Sequence, residues 1–307
     1  MQAFFKLIRW KNLLMIALVQ YLIKYALLLS FTESHGVITT LNHFHFALLV
    51  LATLLIAAGG YIINDIYDLQ TDAINKPEKI IINKKISEKD GFSIFMALNI
   101  IGVGLGFYLS NYVGTSALFV IFFTSSALLY IYASALKQML LIGNIVVSAV
   151  VALAILTVGI FELFPVINYE NRGVQMLFLN IIRDYAIFAF LISLIREIVK
   201  DIEDIDGDYK AGMKTLPVVI GRERANKTAF ILSILTLLSV IYYVITYLFK
   251  QQLVLGYFLI FVIAPLIYVC IKLFNAEQKS QYQHISFILK LVMLTGMLSL
   301  ALYKFVI

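Results

Sequence analysis

Charged residues are scarce in this sequence. Asp, Glu, Lys and Arg make up 14% of its 307 residues, whereas they make up about a quarter of an average soluble globular chain. Hydrophobic residues make up 62% and run through the whole length. This composition excludes a water-soluble two-domain enzyme and predicts a polytopic membrane protein.

Cysteine is almost absent as well. The one cysteine, Cys270, lies in an apolar run, so the chain can form neither an internal disulfide nor a cysteine-based metal site. The net charge of +6 would suit a nucleic-acid-binding protein, but the basic residues lie in short loops between apolar runs. We therefore expect membrane lipids around this protein and no nucleic-acid partner.

Nine apolar segments are long enough to cross about 30 Å of hydrocarbon as helices. They cover residues 12–31, 46–63, 92–110, 114–132, 139–161, 176–197, 228–249, 252–274 and 284–305. The fold class that they predict is all-α, a single domain over residues 1–307 formed by a bundle of nine transmembrane helices. We expect one active-site cavity that opens to the cytoplasm.

The basic residues predict the orientation of the bundle. Sixteen Lys and Arg residues lie on the side of the N-terminus and the loops at 64–91 and 198–227, and three lie on the opposite side. Cytoplasmic loops carry such an excess of Lys and Arg. We expect an integral protein of the cell (inner) membrane, with its N-terminus and both long charged loops in the cytoplasm.

The acidic residues gather in the same two loops, and orientation rules do not explain that. Asn64, Asp68 and Asp72 follow the second span with a spacing of four, which places them on one face of a helix. Neighbouring carboxylates repel one another, and no Lys or Arg lies among them. A divalent cation relieves the repulsion, and ligands that are all oxygen suit Mg²⁺.

A second acidic face ends the sixth span. Its members are spaced by four, three and four residues: Glu197, Asp201, Asp204 and Asp208. An even number of spans separates the two clusters, so both lie on the same side of the membrane and can face each other. We expect three neighbouring acids that fall off these faces to be solvated, namely Asp65, Glu203 and Asp206.

Two facing acidic clusters with metal ions form a site for a diphosphate. The cations that such an anion also needs follow the clusters, at Lys76 and Lys79 and at Lys210 and Lys214. Metal ions and ammonium groups stabilise a departing pyrophosphate where its charge develops. A diphosphate inside an apolar bundle suggests a prenyl chain, whose tail lies among the helices.

These segments resemble the UbiA superfamily of membrane prenyltransferases. The first aspartate-rich motif of that family is similar to Asn64-Asp65-x-x-Asp68-x-x-x-Asp72, and the second to Asp204-x-x-x-Asp208 with Glu197 and Asp201 ahead of it. Tyr132-x-x-x-x-Lys137 and the pair Gly143-Asn144 resemble its third cytoplasmic loop and fifth helix, and Arg9 and Asn12 resemble its N-terminal pattern.

The resemblance implies Mg²⁺-dependent transfer of a prenyl group from its diphosphate to an acceptor. It implies metal ligands at Asn64, Asp68, Asp204 and Asp208. It also implies catalytic roles for Asp72, Glu197, Asp201, Lys137 and Tyr132. Contacts with the diphosphate would come from Lys76, Lys79, Lys214, Arg9, Asn12 and Asn144.

The acceptor depends on the branch of the family. The segment from Arg196 to Asp208, continuing to Gly212-Met-Lys-Thr-Leu-Pro217, is most similar to the branch that makes digeranylgeranylglyceryl phosphate, an ether lipid. We therefore expect a geranylgeranyl-type donor and a glycerol-phosphate ether lipid as acceptor. The chain departs from the family at Lys79-Ile80, where an Arg-Pro pair is common, and at Trp10, where proline is frequent.

Two alternatives stay open. An aromatic acceptor such as a quinone precursor would need the same donor site. A transporter whose acidic clusters carry a divalent cation is the alternative from another class, although transporters place their sites near the bilayer midplane and these acids lie at helix ends. Five ionisable residues inside the spans have no assigned role: Lys24, Arg183, Asp184, Lys272 and Lys290.

Overall fold

The computed structural model describes residues 2–306, apart from the side chain of Lys79. Within that part, nine helices are long and apolar enough to cross a membrane. The same residues contain no β-strand, only one isolated bridge between Ile82 and Ile86. The predicted all-α bundle of nine spans is therefore confirmed for the described residues.

The nine helices lie close to their predicted positions. They are α1 Trp10–His35, α2 His43–Tyr67, α3 Glu88–Tyr112, α4 Ser116–Ser134, α5 Ile142–Val166, α6 Arg172–Lys210, α7 Arg222–Leu248, α8 Gln252–Phe274 and α9 Lys279–Phe305. Short helices at Gln2–Leu7, Leu69–Asn75, Pro77–Lys79, Leu136–Gln138 and Leu216–Ile220 lie on one rim of the bundle, before α1 and in the loops after α2, α4 and α6.

Local signals explain several helix ends. Asn42 begins α2 by accepting a hydrogen bond from the backbone N–H of His45 at 2.9 Å, and Ser87 begins α3 by accepting one from Asp90 at 3.0 Å. Such side-chain caps satisfy amide groups that the first helical turn leaves free. Apolar side chains then run through each helix and can face either lipid or the neighbouring helices.

Helices that follow each other in the chain pack side by side, and α6 lies at the centre of the second half. It packs against α5, α7 and α9, and also against the short helix Leu69–Asn75. Because that short helix follows α2, this contact brings the end of the second span to the end of the sixth. The ends of α2 and α6 therefore meet at one rim of the bundle.

Both acidic segments are helical, with one interruption. Helix α6 continues to Lys210, beyond the predicted end of its span at 197, so the second acidic segment lies on a single uninterrupted helix. Helix α2 ends at Tyr67, and Leu69–Asn75 starts a new helix after Asp68. Thr71 Oγ1 donates to the carbonyl oxygen of Asp68 at 2.9 Å across this break. The predicted one-turn spacing of the first segment is kept across the bend.

Candidate active site

Asn75 joins the two acidic segments. Its Nδ2 donates to the carbonyl oxygen of Asp204 at 3.0 Å, and its Oδ1 accepts a hydrogen bond from the backbone N–H of Gly207 at 3.1 Å. A Cβ atom on Gly207 would collide with the Asn75 side chain, so this close approach requires glycine. The predicted juxtaposition of the two segments is therefore present in the structure.

Asp68 lies at the centre of the first segment. It accepts a hydrogen bond from the Asn64 side chain, one helical turn earlier. Its other oxygen lies 2.6 Å from Lys137 Nζ, which reaches it from the loop after α4. The Lys137 side chain is only 7% exposed, so this ion pair is shielded from water.

Gly143 fixes the position of Lys137. A Cβ atom at residue 143 would lie 2.7 Å from the Cα atom of Lys137 and 2.9 Å from the carbonyl oxygen of Leu136. The start of α5 can therefore press against the loop that carries Lys137 only if residue 143 is glycine. This contact gives the Gly143-Asn144 pair a physical role in the site.

Asp204 lies at the centre of the second segment. Lys76 Nζ lies 2.5 Å from its Oδ2 and 3.6 Å from Glu203 Oε1. Asp208, one turn further along α6, is buried and accepts a hydrogen bond from Thr215 Oγ1 at 3.2 Å. A lysine that follows the first acidic segment thus contacts the carboxylates of the second.

The remaining acids of α6 lie further into the bundle. Asp201 accepts a hydrogen bond from Asn144 Nδ2 at 2.7 Å, which links α6 to α5. Both oxygens of Glu197 lie 2.9 Å from Lys200 Nζ, and one also lies 3.3 Å from Arg196. The acids of this helix face are therefore each paired with a partner of complementary charge or polarity.

Arg9 adds a cation from the N-terminal segment. Its backbone adopts φ 50°, in the left-handed region that side-chain-bearing residues seldom occupy. Its guanidinium lies 2.8 Å from Asp65 and over the ring of Tyr61 at 5.0 Å. Burial by itself would lower the pKa of Arg9, but Asp65 and Tyr61 outweigh it and raise that pKa.

Two of the acids expected to be solvated are not. Asp65 is held by Arg9, and Glu203 is buried and accepts a hydrogen bond from Gln283 Nε2 at 3.1 Å. Both partners come from segments distant in the sequence, so the helical-face pattern contained no signal for them. Asp206, the third, is exposed as predicted.

Besides Arg9, Asp72 and Lys76 outside the spans have shifted pKa values. Burial raises the pKa of Asp72 to about 6, and the negative charges of Asp68 and Asp65 add to the effect. Burial alone would lower the pKa of Lys76, but Asp204 outweighs it and the pKa is raised. A nearby cation would therefore stabilise the ionised form of Asp72.

A cavity of about 480 Å³ runs from this rim into the bundle. Its inner part is lined by apolar side chains of α5, α6 and α8, among them Val151, Ile155, Phe188, Ile192 and Val262. Its polar end is lined by Asn64 of the first acidic segment, Glu197 of the second, and Arg9, Asn12 and Tyr132. Asp68, Asp204 and Asp208 lie outside this lining. An apolar chain and a polar head can occupy the two ends of such a cavity.

Three cations on the cavity wall have no predicted role in the site: Arg196, Lys200 and Lys290. Lys290 Nζ donates to Asn12 Oδ1 at 2.6 Å and so connects α9 to α1. An ionisable residue within a membrane span is costly and often functional, and that rule is the signal that pointed to Lys290. The positions of Arg196 and Lys200 on the cavity wall become visible only once the course of α6 through the bundle is known.

The donor set fits a hard cation such as Mg²⁺. Asn64 Oδ1 and Asp204 Oδ1 are buried oxygens, and no described group donates a hydrogen bond to either. An unpaired buried acceptor is costly unless something else, such as a metal ion, binds it. Among the described side chains, no three His, Cys, Asp or Glu residues converge tightly enough to enclose an ion. Asn64 and Asp68 form one pair of candidate ligands, and Asp204 and Asp208 form the other.

Lys214 and Lys79 are two further residues predicted to contact a diphosphate. Among the described residues, the Lys214 side chain forms no hydrogen bond or ion pair with the acidic segments. Lys214 is exposed, and it is its backbone N–H, bonded to the carbonyl oxygen of Gln138 at 2.9 Å, that joins the loops after α6 and α4. The side chain of Lys79 lies outside the described part. Their predicted roles stay predictions.

Two pairs of charges inside the spans lie at the far side of the bundle. Lys24 Nζ lies 2.8 Å from Glu162 Oε1, and both side chains are almost wholly buried, at 1% and 0% exposure. Arg183 and Asp184 pair at 2.8 Å, with Arg183 largely exposed. These pairs belong to helix packing and the lipid-facing surface and lie apart from the acidic rim.

Comparisons with known proteins point the same way as this geometry. Residues 22–293 match the UbiA prenyltransferase family. A digeranylgeranylglyceryl phosphate synthase of Saccharolobus solfataricus is 37% identical over 184 residues, which is 60% of each chain. The aligned region thus spans well under two thirds of that relative's length. The enzyme of the same name from Methanosphaera stadtmanae is 33% identical over 80% of this chain and 84% of its own.

A solved structure has the same fold. It is a UbiA homolog from Archaeoglobus fulgidus bound to GPP and Mg²⁺, which superposes with a TM-score of 0.56 and covers 97% of this chain and 99% of its own. Its sequence identity is 17%, so the likeness concerns the fold.

Proposed function

The chain belongs to the UbiA prenyltransferase family, and from this premise we propose that it transfers a prenyl group of the geranylgeranyl type from its diphosphate to a glycerol-phosphate ether lipid, with Mg²⁺ as cofactor. One observation carries the proposal: two acidic segments, held together by Asn75, meet beside the polar end of an apolar cavity, which Asn64 and Glu197 line. A prenyl diphosphate has the same division, with an anionic head and a long hydrocarbon tail.

Asn64, Asp68, Asp204 and Asp208 would hold Mg²⁺ ions. When bound, Mg²⁺ supplies positive charge that stabilises the developing pyrophosphate. Two of these residues offer buried oxygens without a hydrogen-bond donor. Lys76 and Lys137, whose ammonium groups lie on Asp204 and Asp68, can reorient towards the diphosphate oxygens because their side chains are flexible.

The transfer itself is a substitution at C1 of the prenyl chain. The bond between C1 and the diphosphate oxygen breaks, and its electron pair leaves with pyrophosphate. An oxygen lone pair of an acceptor hydroxyl forms the new ether bond to C1, and the hydroxyl proton is released. The cavity excludes water from C1, because its inner walls are apolar. Glu197 lines the polar end, Asp201 lies one helical turn further along α6, and Asp72 lies at the rim. We assign supporting catalytic roles to these three carboxylates.

The choice of acceptor rests on the relatives. The aligned proteins are named for digeranylgeranylglyceryl phosphate, which carries two geranylgeranyl groups on one glycerol phosphate. A synthase of that product adds the second group to geranylgeranylglyceryl phosphate. We extend this substrate pair to the present chain.

The chain is an integral membrane protein, with nine apolar helices in its described part. We infer that the acidic rim faces the cytoplasm, because the Lys and Arg residues gather in the loops on that side. The water-soluble pyrophosphate would then be released into the cytoplasm.

The test is product analysis by mass spectrometry. Purified protein in lipid nanodiscs is given geranylgeranyl diphosphate with Mg²⁺ and one of three acceptors: geranylgeranylglyceryl phosphate, 4-hydroxybenzoate or a dihydroxynaphthoate. The proposal expects digeranylgeranylglyceryl phosphate and pyrophosphate in equal amounts. If only a prenylated aromatic product forms, the acceptor is an aromatic compound and not the ether lipid. If no acceptor is prenylated and the protein carries divalent cations across liposome membranes, it is a transporter and not a prenyltransferase.

A further inference from the structure

The polar end of the cavity carries more positive charge than the acidic segments account for. Apart from Arg9, which is paired with Asp65, its ionised lining consists of three cations and the single carboxylate of Glu197. The cations are Arg196 and Lys200 on α6 and Lys290 on α9. These three residues form the inner cation cluster.

The inner cation cluster is incompletely paired. Glu197 neutralises one charge, since Lys200 and Arg196 share it. Among described groups, Lys290 donates only to the neutral amide oxygen of Asn12, and Arg196 Nε is buried without an acceptor. Unpaired charge inside a membrane bundle is expensive, so its presence on a cavity wall indicates an anionic ligand.

The cluster lies deeper than the carboxylates. On α6, Lys200 and Arg196 precede Asp204 by four and eight residues, which places them roughly 6 and 12 Å further from the rim at about 1.5 Å per residue. On α9, Lys290 follows Lys279 by eleven residues, or roughly 16 Å. Lys279 itself contacts the carbonyl oxygen of Asn75 beside the acidic segments. The cluster is therefore a separate site, about one to three helical turns inside the metal-binding rim.

We propose that the inner cation cluster of Arg196, Lys200 and Lys290 binds the phosphate group of the acceptor lipid and so selects a phosphate-bearing acceptor. This inference rests on the proposed function, since it assigns a place to the second substrate. The charges match: the cluster exceeds its one carboxylate by two, and a phosphate monoester carries about −1.5 to −2 at pH 7.

The position also matches the reaction. With its diphosphate on the proposed metal ligands at the rim, the donor would place its C1 atom just inside, where the acceptor hydroxyl must approach. On a three-carbon glycerol the reacting hydroxyl is at most two carbons from the one that bears the phosphate. A phosphate site slightly deeper than C1 would therefore bring the acceptor hydroxyl next to C1. Arg196, whose planar guanidinium binds phosphate oxygens in pairs, and Lys290, from the neighbouring helix α9, can both bind it.

Steady-state kinetics with both substrates tests the proposal. In Lys290→Gln we expect the KM for geranylgeranylglyceryl phosphate to rise at least tenfold, while the KM for geranylgeranyl diphosphate changes less than twofold. Lys290→Arg keeps the charge and should recover most of the acceptor affinity. Lys272→Gln removes another lysine within a span, on α8 and away from the cavity, and should change neither KM.

An acceptor without phosphate provides the second measurement. Wild-type protein should prefer geranylgeranylglyceryl phosphate over geranylgeranylglycerol, and Lys290→Gln should reduce that preference at least tenfold. A structural role for Lys290 would lower activity with both acceptors equally and leave the preference unchanged, which would overturn the proposal. An increase confined to the KM of the diphosphate would overturn it too, because the cluster would then serve the donor.

A binding measurement separates this inference from the proposed function. Suppose that wild-type protein prenylates geranylgeranylglyceryl phosphate and that Lys290→Gln leaves the acceptor KM unchanged. The proposed function would then hold, and the proposed phosphate site at the inner cation cluster would be refuted. If wild-type protein makes no ether product, the proposed function is refuted. The phosphate site is then tested by measuring how far each acceptor lipid raises the unfolding temperature in the absence of the donor. Protection by geranylgeranylglyceryl phosphate that exceeds that by geranylgeranylglycerol and disappears in Lys290→Gln would still support a phosphate site, and its absence would refute it.

Discussion

Asn75 Oδ1 accepts a hydrogen bond from the backbone N–H of Gly207 at 3.1 Å, across 132 residues of sequence. The same side chain donates to the carbonyl oxygen of Asp204. A neutral amide with one donor and one acceptor in use thus sets the separation between two carboxylate segments that would otherwise repel each other. The distance between the two halves of the proposed metal site depends on this contact.

We therefore predict that Asn75→Ala weakens Mg²⁺ binding. Two partly buried backbone groups of α6 each lose one hydrogen bond, which costs about 0.5–1.5 kcal/mol of unfolding free energy per bond. The apparent Mg²⁺ affinity should fall roughly 10–100-fold, as when a residue that orients metal ligands is lost. Gly207→Ala should act in the same direction, because its Cβ displaces the Asn75 side chain.

Mg²⁺ titrations of transferase activity provide the measurement for this pair. Asn111→Ala is the matched control, since Asn111 is an exposed asparagine at the opposite end of the bundle. Unchanged Mg²⁺ dependence in folded Asn75→Ala protein would show that the separation of the two acidic segments does not depend on the hydrogen bonds of Asn75.

The proposed metal ligands yield a second prediction. Asp68→Asn and Asp204→Asn each remove a charged ligand while keeping the size of the side chain, so turnover at saturating prenyl diphosphate should fall at least about 100-fold. Asp206→Asn is the control, because Asp206 is on the same helix as Asp204 but is exposed. EDTA should abolish wild-type activity, and added Mg²⁺ should restore it. Activity that survives chelation, or either Asn variant with near-normal turnover, would refute the two-segment metal site.

The sequence predicted those features of the site that depend on local periodicity. Asn64, Asp68 and Asp72 were expected one turn apart, and they remain so, since helical spacing is a property of neighbouring residues. The same holds for the acids of α6, although that helix runs past its predicted end. The nine spans could be read because each needs about 20 apolar residues whatever its neighbours are.

Contacts between distant segments could not be predicted in this way. Nothing near Asp65 in the sequence points to Arg9, and nothing near Glu203 points to Gln283, so both acids were expected to be solvated. The break at Asp68, between α2 and the next helix, is spanned by a hydrogen bond from Thr71, but a threonine side chain is equally compatible with a continuous helix. The pairing of Lys137 with Asp68 follows only once α5 and its Gly143 are in place.

Asp72 provides a prediction about pH. Its folded-state pKa of about 6 exceeds the ordinary value of 3.8, because burial and then Asp68 and Asp65 disfavour the charged form. The folded protein thus holds this proton more tightly than the unfolded chain does. Ionisation of Asp72 costs no stability below about pH 4, a growing amount between pH 4 and pH 6, and the full amount above pH 6.

Asp72→Asn should therefore raise the unfolding temperature in EDTA at pH 7.5, and the gain should shrink as the pH is lowered towards 4. Saturating Mg²⁺ should reduce the gain at pH 7.5, because a nearby cation stabilises the Asp72 carboxylate of the wild-type protein. Thermal unfolding in nanodiscs at several pH values measures both effects. A gain that is equal at pH 4 and pH 7.5 would mean that the charge of Asp72 is not its source.

The last prediction concerns the buried pair of Lys24 and Glu162. Lys24 Nζ also donates to the carbonyl oxygen of Leu41 at 2.7 Å, and Glu162 accepts from the backbone N–H of Leu41 at 3.2 Å, so the pair joins α1, α5 and the loop before α2. Lys24→Met leaves a carboxylate buried without its cation, which should cost about 3–5 kcal/mol of unfolding free energy. Lys24→Met combined with Glu162→Gln removes both charges and should recover much of that loss.

Catalysis separates this role from one in the active site. Lys24 lies fourteen residues beyond the start of α1, about 20 Å from the acidic rim at 1.5 Å per residue. Folded Lys24→Met protein should therefore keep the wild-type KM for both substrates at a temperature well below its unfolding midpoint. A double variant no more stable than Lys24→Met would show that Lys24 stabilises the fold through Leu41 and not through Glu162. A changed KM in the single variant would instead connect this end of the bundle to the cavity.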